Sequence, residues 1–127
     1  MSNAFKPEPL SHQEEEAMLA VWKTGTGFIK DFLEKVPEPQ PHYNTFTSTI
    51  KNLEKKGYLS GRKRGLMYEY TPLISEEEYK KHFLRDVVQN YFSNSYKDLV
   101  AFFAREQKIS ERELKEVMDM IQKNRSC

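Results

Sequence analysis

Between positions 42 and 56 the apolar residues Phe46, Ile50 and Leu53 recur at helical spacing, while Asn44, Ser48, Lys51 and Lys55 fall on the opposite side of the same wheel. This predicts a helix with one face for a core and one for an outside partner. Gly57 follows where a left-handed residue ends a helix. Residues 58–61 and 66–71 then alternate as two short strands, with Arg62-Lys63-Arg64-Gly65 as the expected turn and Pro72 closing the unit. Upstream, Met18, Val21 and Trp22 mark the inward side of a helix over about 11–24. Phe28, Ile29, Phe32 and Leu33 mark a second over about 27–35, for which Thr26 is the expected cap. Pro37, Pro39 and Pro41 stop that helix and keep the linker extended.

The remainder reads as helix. Tyr79, Phe83, Leu84, Val87, Val88, Tyr91 and Phe92 occupy a helix over about 75–92, and Asn94 and Ser95 break it. Leu99, Val100, Phe102 and Phe103 follow over about 96–107, and Leu114, Val117, Met118 and Ile121 over about 110–124. Three Ser-x-x-Glu sequences (Ser11 with Glu14, Ser75 with Glu78, Ser110 with Glu113) mark helix starts as capping boxes, each satisfying two orphan N–H groups. Apolar positions wrap more than half of the 75–92 helix, although one stripe suffices to pack on its own domain. Three helices in about 50 residues make a poor independent core. The remedy is a symmetric dimer, with Val87, Val88, Tyr91, Phe92, Leu99, Phe102, Phe103, Leu114, Val117, Met118 and Ile121 as its expected interface.

The predicted fold is therefore mainly α with a small β-hairpin wing. A winged helix-turn-helix DNA-binding domain spans 10–72, and a helical dimerisation domain spans 73–127. Charge sharpens the picture. The net charge is only +1, a weak argument against a nucleic-acid partner, but residues 43–65 hold six Lys/Arg and one Glu, whereas 1–42 hold four Lys and seven Asp/Glu. A local patch sets the electrostatic footprint. Asn44, Thr45 and Ser48 are short and polar near the helix start, which suits base edges in a major groove. Lys51, Asn52, Lys55 and Lys56 lie further along and suit phosphates, with Arg62, Lys63 and Arg64 straddling the backbone or reaching a minor groove.

Each of these signals has a plainer reading, since a polar helix face is most often simply solvated. It is the helix–helix–helix–hairpin order with the charge gathered there that points to a duplex. His12, His42 and His82 lack an i, i+4 pairing, so no metal site is expected. Glu14, Glu15 and Glu16 fit the positive end of a helix rather than acid–base catalysis. No nucleophile–base pair, phosphate-cradling loop or zinc motif is present in the sequence, so neither an enzyme nor a cofactor is expected. The lone cysteine, Cys127, excludes an intrachain disulfide. No apolar run approaches the ~20 residues of a membrane span, and no secretory h-region opens the chain, so a cytoplasmic location without membrane insertion is expected.

The chain resembles the penicillinase-repressor family, the BlaI/MecI/CopY group of bacterial winged-helix repressors, over roughly 10–124. The resemblance rests on Leu10-Ser11 with Glu14–Glu16, Val21-Trp22 and Tyr43-Asn44-Thr45-Phe46. Leu53-Glu54-Lys55-Lys56-Gly57-Tyr58-Leu59 and Gly65-Leu66-Met67-Tyr68-Glu69-Tyr70-Thr71-Pro72 carry it further. It implies a homodimeric repressor of antibiotic- or stress-response genes on a palindromic operator, with Asn44, Thr45 and Ser48 at the operator-contacting positions. It also implies a link to a membrane sensor with a metalloprotease domain, and a cut in Val100-Ala101-Phe102-Phe103. Two departures bear on that regulation. Phe102-Phe103 stands where antibiotic-responsive members are cut between Asn and Phe, and the paired cysteines of the copper-sensing branch are replaced by Cys127 alone. The Pro-rich turn also replaces a Trp-containing segment found in many relatives. The rival readings are a winged-helix protein–protein adaptor and a small-molecule-sensing regulator.

Overall fold

A computed structural model describes residues 7–125; Cys127 lies outside them. The chain runs α1 (His12–Thr24), β1 (Gly27–Phe28), α2 (Ile29–Leu33), α3 (Tyr43–Lys55), β2 (Leu59–Arg64), β3 (Met67–Pro72), α4 (Glu76–Tyr91), α5 (Tyr96–Arg105) and α6 (Glu111–Arg125). It is mainly α with a small antiparallel sheet. All three predicted capping boxes form. The N–H groups of Glu14, Glu78 and Glu113 donate to the hydroxyls of Ser11, Ser75 and Ser110, and each Glu carboxylate accepts from the serine's own N–H.

The second helix departs from expectation. Gly27 and Phe28 pair with Tyr70 and Glu69, adding a third strand in the order β1-β3-β2. Extended backbone there pushes the start of α2 to Ile29, where Asp31 Oδ2 accepts from the Phe28 N–H at 2.9 Å. Thr26 consequently caps nothing; its hydroxyl donates to Thr71 Oγ1 at 3.2 Å. Gln40 Nε2 reaches back to donate to the carbonyls of Leu33 and Val36, satisfying acceptors just beyond the short helix.

α3 ends as its glycine predicts. Gly57 takes φ 86°, the Tyr58 N–H donates to Leu53 O at 2.9 Å and the Gly57 N–H to Glu54 O at 3.0 Å. This is the Schellman pair of bonds. It reverses the chain so that Tyr58 and Leu59 enter the core at once.

Phe46, Thr49, Ile50 and Leu53 are the inward face of α3. Phe46, Ile50 and Leu53 pack in one cluster with Ala17, Met18 and Val21 of α1, Phe32, Val36, Leu59 and Tyr70. Each large apolar side chain buried here contributes roughly 1.5–3 kcal/mol. Ile74 closes the core, its carbonyl accepting from Trp22 Nε1 at 2.9 Å. Tyr79 follows, with its ring 5.4 Å from that of Trp22 and 6.0 Å from that of Tyr58. Burial, the Glu15 carboxylate and its hydrogen bond push the Tyr79 hydroxyl up to about 12.

Compact units therefore divide at His82/Phe83, inside α4, because residues up to Tyr79 are fastened to the first body. In the second unit, Ser93 and Asn94 take positive φ and end α4. Ser95 then caps α5 through the Asp98 N–H, and the rings of Phe92 and Phe102 meet edge-on at 5.7 Å.

One buried polar contact ties the first unit's helices together. Glu14, nearly inaccessible within its capping box, accepts from Lys56 Nζ at 2.7 Å across 42 residues, and the same ammonium donates to Pro9 O. Burial pushes the Glu14 carboxyl up, but hydrogen bonds and charge from Lys56, with those from Ser11, outweigh it and hold the group below its ordinary value. Lys56→Ala should therefore cost about 1–3 kcal/mol, the usual consequence of leaving a buried charged acceptor without its partner. A lowered folded-state pKa gives stability that is complete at neutral pH and lost as pH falls through the carboxylate range. Urea unfolding should accordingly show the gap between the wild type and Glu14→Gln narrowing on acidification. A gap independent of pH would rule out the ion pair as its source.

Candidate nucleic-acid interface

Opposite its buried stripe, α3 presents Asn44, Ser48, Lys51 and Lys55, with Thr45 and Asn52 at the border, all exposed. The stripe is continuous because positions 44, 48, 51 and 55 succeed one another at helical spacing. Ser48 Oγ donates back to Asn44 O at 3.3 Å, a long bond that leaves its lone pairs outward.

The beginning of this helix is unlike those of α1, α4, α5 and α6. α1, α4, α5 and α6 are each capped by a serine hydroxyl. α3 begins at His42 with no side-chain cap and no acid in its first turn. The first N–H groups of an α-helix have no partner within it, and the macrodipole makes that end attractive to an anion. The exposed end of α3 thus complements a phosphate.

Lys56 does not belong to this face. Its ammonium is turned into the domain against Glu14 and is only 26% exposed, so the cationic set on α3 is Lys51 and Lys55. The periodicity could have shown this: 56 lies three and six residues beyond the buried 53 and 50, on the inward side.

The wing is also redrawn. Arg62, Lys63 and Arg64 are strand residues paired with Glu69, Tyr68 and Met67, and the turn is Gly65-Leu66. A two-residue hairpin needs φ > 0 at its first central position in the II′ form, and Gly65 supplies it at 66°. The sequence reading placed the turn early because cations looked like loop; their alternation in β2 puts Arg62 and Arg64 on one face and Lys63 on the other. Arg64 Nε donates to Glu69 Oε1 at 3.0 Å, so part of its charge is met within the hairpin. Arg62 and Lys63 are exposed.

Two further residues escaped the sequence reading. Tyr43, the first residue of α3, and Tyr68, beside Lys63, are each about half exposed and flank the polar stripe's elements. Tyr68 is separated by two from the buried Tyr70, the spacing that puts both rings on one side of β3, and their centroids are 6.4 Å apart. Burial raises the Tyr70 hydroxyl above its ordinary value, and the Glu54 carboxylate adds to this, followed by Tyr68 and Tyr43.

Glu54 also fixes the wing to the helix, since its Oε2 accepts from the Gly61 N–H at 3.2 Å. Among the described residues, no three His, Cys, Asp or Glu side chains gather to hold a metal, and no helix is long and apolar enough to cross a membrane.

The profile of the penicillinase repressor family matches residues 10–123. The chain belongs to the penicillinase repressor family. It is similar to the methicillin resistance regulatory protein MecI of Staphylococcus aureus, 22% identical over 120 residues that cover 93% of this chain and 97% of the relative. The penicillinase repressor of Bacillus licheniformis is 24% identical over 120 residues, 92% of each chain. A solution structure of the monomeric form of Bacillus licheniformis BlaI, in complex with the blaP half-operator, aligns with 58% of this chain and 92% of that one, at 28% identity and a TM-score of 0.48. Membership makes this penicillinase repressor homologue a DNA-binding repressor of the winged-helix type.

The junction of helix and wing leaves no room at Gly61. A Cβ there would stand 2.9 Å from Tyr70 Cε1 and 3.0 Å from Glu54 Oε2. Gly61→Ala must displace a buried ring and strain the Glu54 bond. A destabilisation of about 1–3 kcal/mol, the usual cost of overpacking, is expected from chemical denaturation, and an unchanged midpoint would mean the ring yields freely.

Proposed function

We propose that this repressor acts as a cytoplasmic homodimer on a palindromic operator, controlling genes for antibiotic or stress response. The observation that carries the reading is the exposed polar-basic stripe of α3, open at its N-terminal end and flanked by a cationic hairpin, in a chain of this family. Asn44, Thr45 and Ser48 face base edges, and Lys51, Asn52 and Lys55 meet phosphates. Arg62 and Lys63 hold the backbone alongside, and Arg64 shares its charge with Glu69.

The dimer is supported by apolar surface on the second unit. Tyr91 is 78% exposed, and Phe102, Phe103, Val117, Met118 and Ile121 are each at least two-fifths exposed. Val87, Phe92, Leu99 and Leu114 are partly covered, whereas Val88 is wholly buried in its own chain and drops out of any surface offered to a partner. A single chain leaves such a patch in water at considerable cost, and a second copy covers it. Two recognition helices would then sit about one duplex turn, roughly 34 Å, apart.

Relief of repression by a membrane sensor-protease pathway is part of the same reading. The Phe102–Phe103 bond lies inside α5, so cleavage there requires the helix to open first.

Selection of duplexes from a random pool, followed by binding at several salt concentrations, tests the interface. Lys51→Ala and Lys55→Ala should weaken binding to all sequences alike and reduce the salt slope by roughly 0.9 for each phosphate left unneutralised. Asn44→Ala should change the preferred sequence, removing about 1–3 kcal/mol of discrimination at one base pair. Equal weakening on every duplex would remove Asn44 from base readout, and failure of the wild type to retain any duplex at low salt would favour an adaptor. In solution, sedimentation should return twice the chain mass, and Met118→Glu with Ile121→Glu should shift it to a monomer; a monomeric wild type at high concentration would end the dimer.

A further inference from the structure

Leu66 is 99% exposed at the far end of the wing, the most exposed of the large apolar residues among those described. Nothing about the turn demands leucine there. Gly65 supplies the unusual backbone angle, and the second central position of such a turn accepts polar residues readily. Single exposed apolar residues are ordinary on a protein surface, but this one tops a cationic hairpin, and a partner that removed it from water would gain by its burial.

Its surroundings say what kind of partner. Arg62, Lys63 and Arg64 occupy the three positions immediately before the turn, and among the residues paired with them only Glu69 carries an opposing charge. An apolar tip on a cationic stalk does not suit an apolar protein surface, which would have to bury those charges. It suits a polyanion with an apolar interior. The reach agrees. The wing's last fastening to α3 is Gly61, held by Glu54, and the four residues from there to the turn extend about 13 Å at 3.3 Å per residue. That overhang carries the tip past the helix edge toward the neighbouring groove of any duplex that receives α3.

We infer that Leu66 is an apolar wedge entering the minor groove beside the recognition site, where it partly unstacks one base step. Arg62 and Lys63 grip the phosphates on either side of it. This inference rests on the DNA-binding reading above and adds a second source of selectivity. Pyrimidine–purine steps such as TA and CA unstack most easily, so the wing selects deformable steps at a position that α3 never touches. Apolar side chains inserted between base steps bend the duplex toward the major groove.

The test compares the full-length wild type with Leu66→Ser and Leu66→Ala. Both variants should melt with the wild type, because this side chain packs against nothing that a serine would expose. Duplexes selected by the wild type should be enriched in a pyrimidine–purine step at one flanking position per half-site, and 2-aminopurine placed there should brighten on binding. With Leu66→Ser the flanking enrichment and the brightening should vanish, while the sequence preferred by α3 and the salt slope persist and affinity falls about tenfold. Wild-type binding without brightening at any flanking step, or with undiminished affinity and enrichment in Leu66→Ser, overturns the wedge and leaves the DNA-binding reading intact. Absence of wild-type binding to any duplex overturns both.

Discussion

The chain reversal at Gly57 governs the geometry of the whole first unit. α3 must bury Phe46, Ile50 and Leu53 and at the same time lead into a hairpin that leaves its outer stripe clear. A helix that ran on would carry Tyr58 and Leu59 out into solvent. The left-handed residue instead turns them into the core within two positions, and the two Schellman bonds satisfy carbonyls that the helix end leaves open. From there β2 has one course, along the flank of α3, where Glu54 meets the Gly61 N–H. The polar stripe of α3 and the wing are thus set relative to each other by a few short-range contacts.

The internal ion pair acts at the same junction. Lys56 is the residue just before the reversal, and its ammonium is held by a carboxylate that already caps α1. One side chain therefore closes a capping box and anchors the end of α3. Its placement separates two roles that sequence proximity blurs. Lys55 and Lys56 are neighbours of equal charge, yet a rotation of about 100° along the helix puts one in solvent and the other against a buried acid. Charge density marked the segment correctly, but it cannot assign a side; only the wheel can.

Much of the architecture was legible for reasons of local physics. The three serine capping boxes, the glycine after α3 and the apolar stripe are signals carried within a few residues, and each forms as read. What was not legible depends on pairings far apart in the chain. β1 exists only because Tyr70 and Glu69 offer it partners some 40 residues later, and two extended residues suffice to shift α2 and release Thr26 from its expected cap. The hairpin turn was misplaced because composition was weighed above register: once Gly61 is set opposite Tyr70, the two-residue loop at Gly65-Leu66 follows necessarily. Tyr43 and Tyr68 carry no charge that marks them in the sequence, and the structure leaves each about half exposed.

The two units are held by different means, and this bears on how a repressor of this kind can be switched. In the first, thirteen buried apolar residues from helices and sheet make one cluster, so the outer face of α3 is positioned by a formed core. In the second, Val88 alone is fully buried among the described residues of α4's latter half, α5 and α6. Burial of apolar surface is the main term favouring a compact state; a segment that buries so little within one chain has little of that term of its own. Under the proposed dimer, folding of this tail and pairing of subunits are one equilibrium, with an apparent stability that rises with protomer concentration. Anything that opens α5 then loosens the dimer without touching α3, and occupancy of the operator falls because each recognition helix must bind untethered. Under the proposed function, such a division would let the reading surface stay fixed while control acts on a weakly self-sufficient part of the chain.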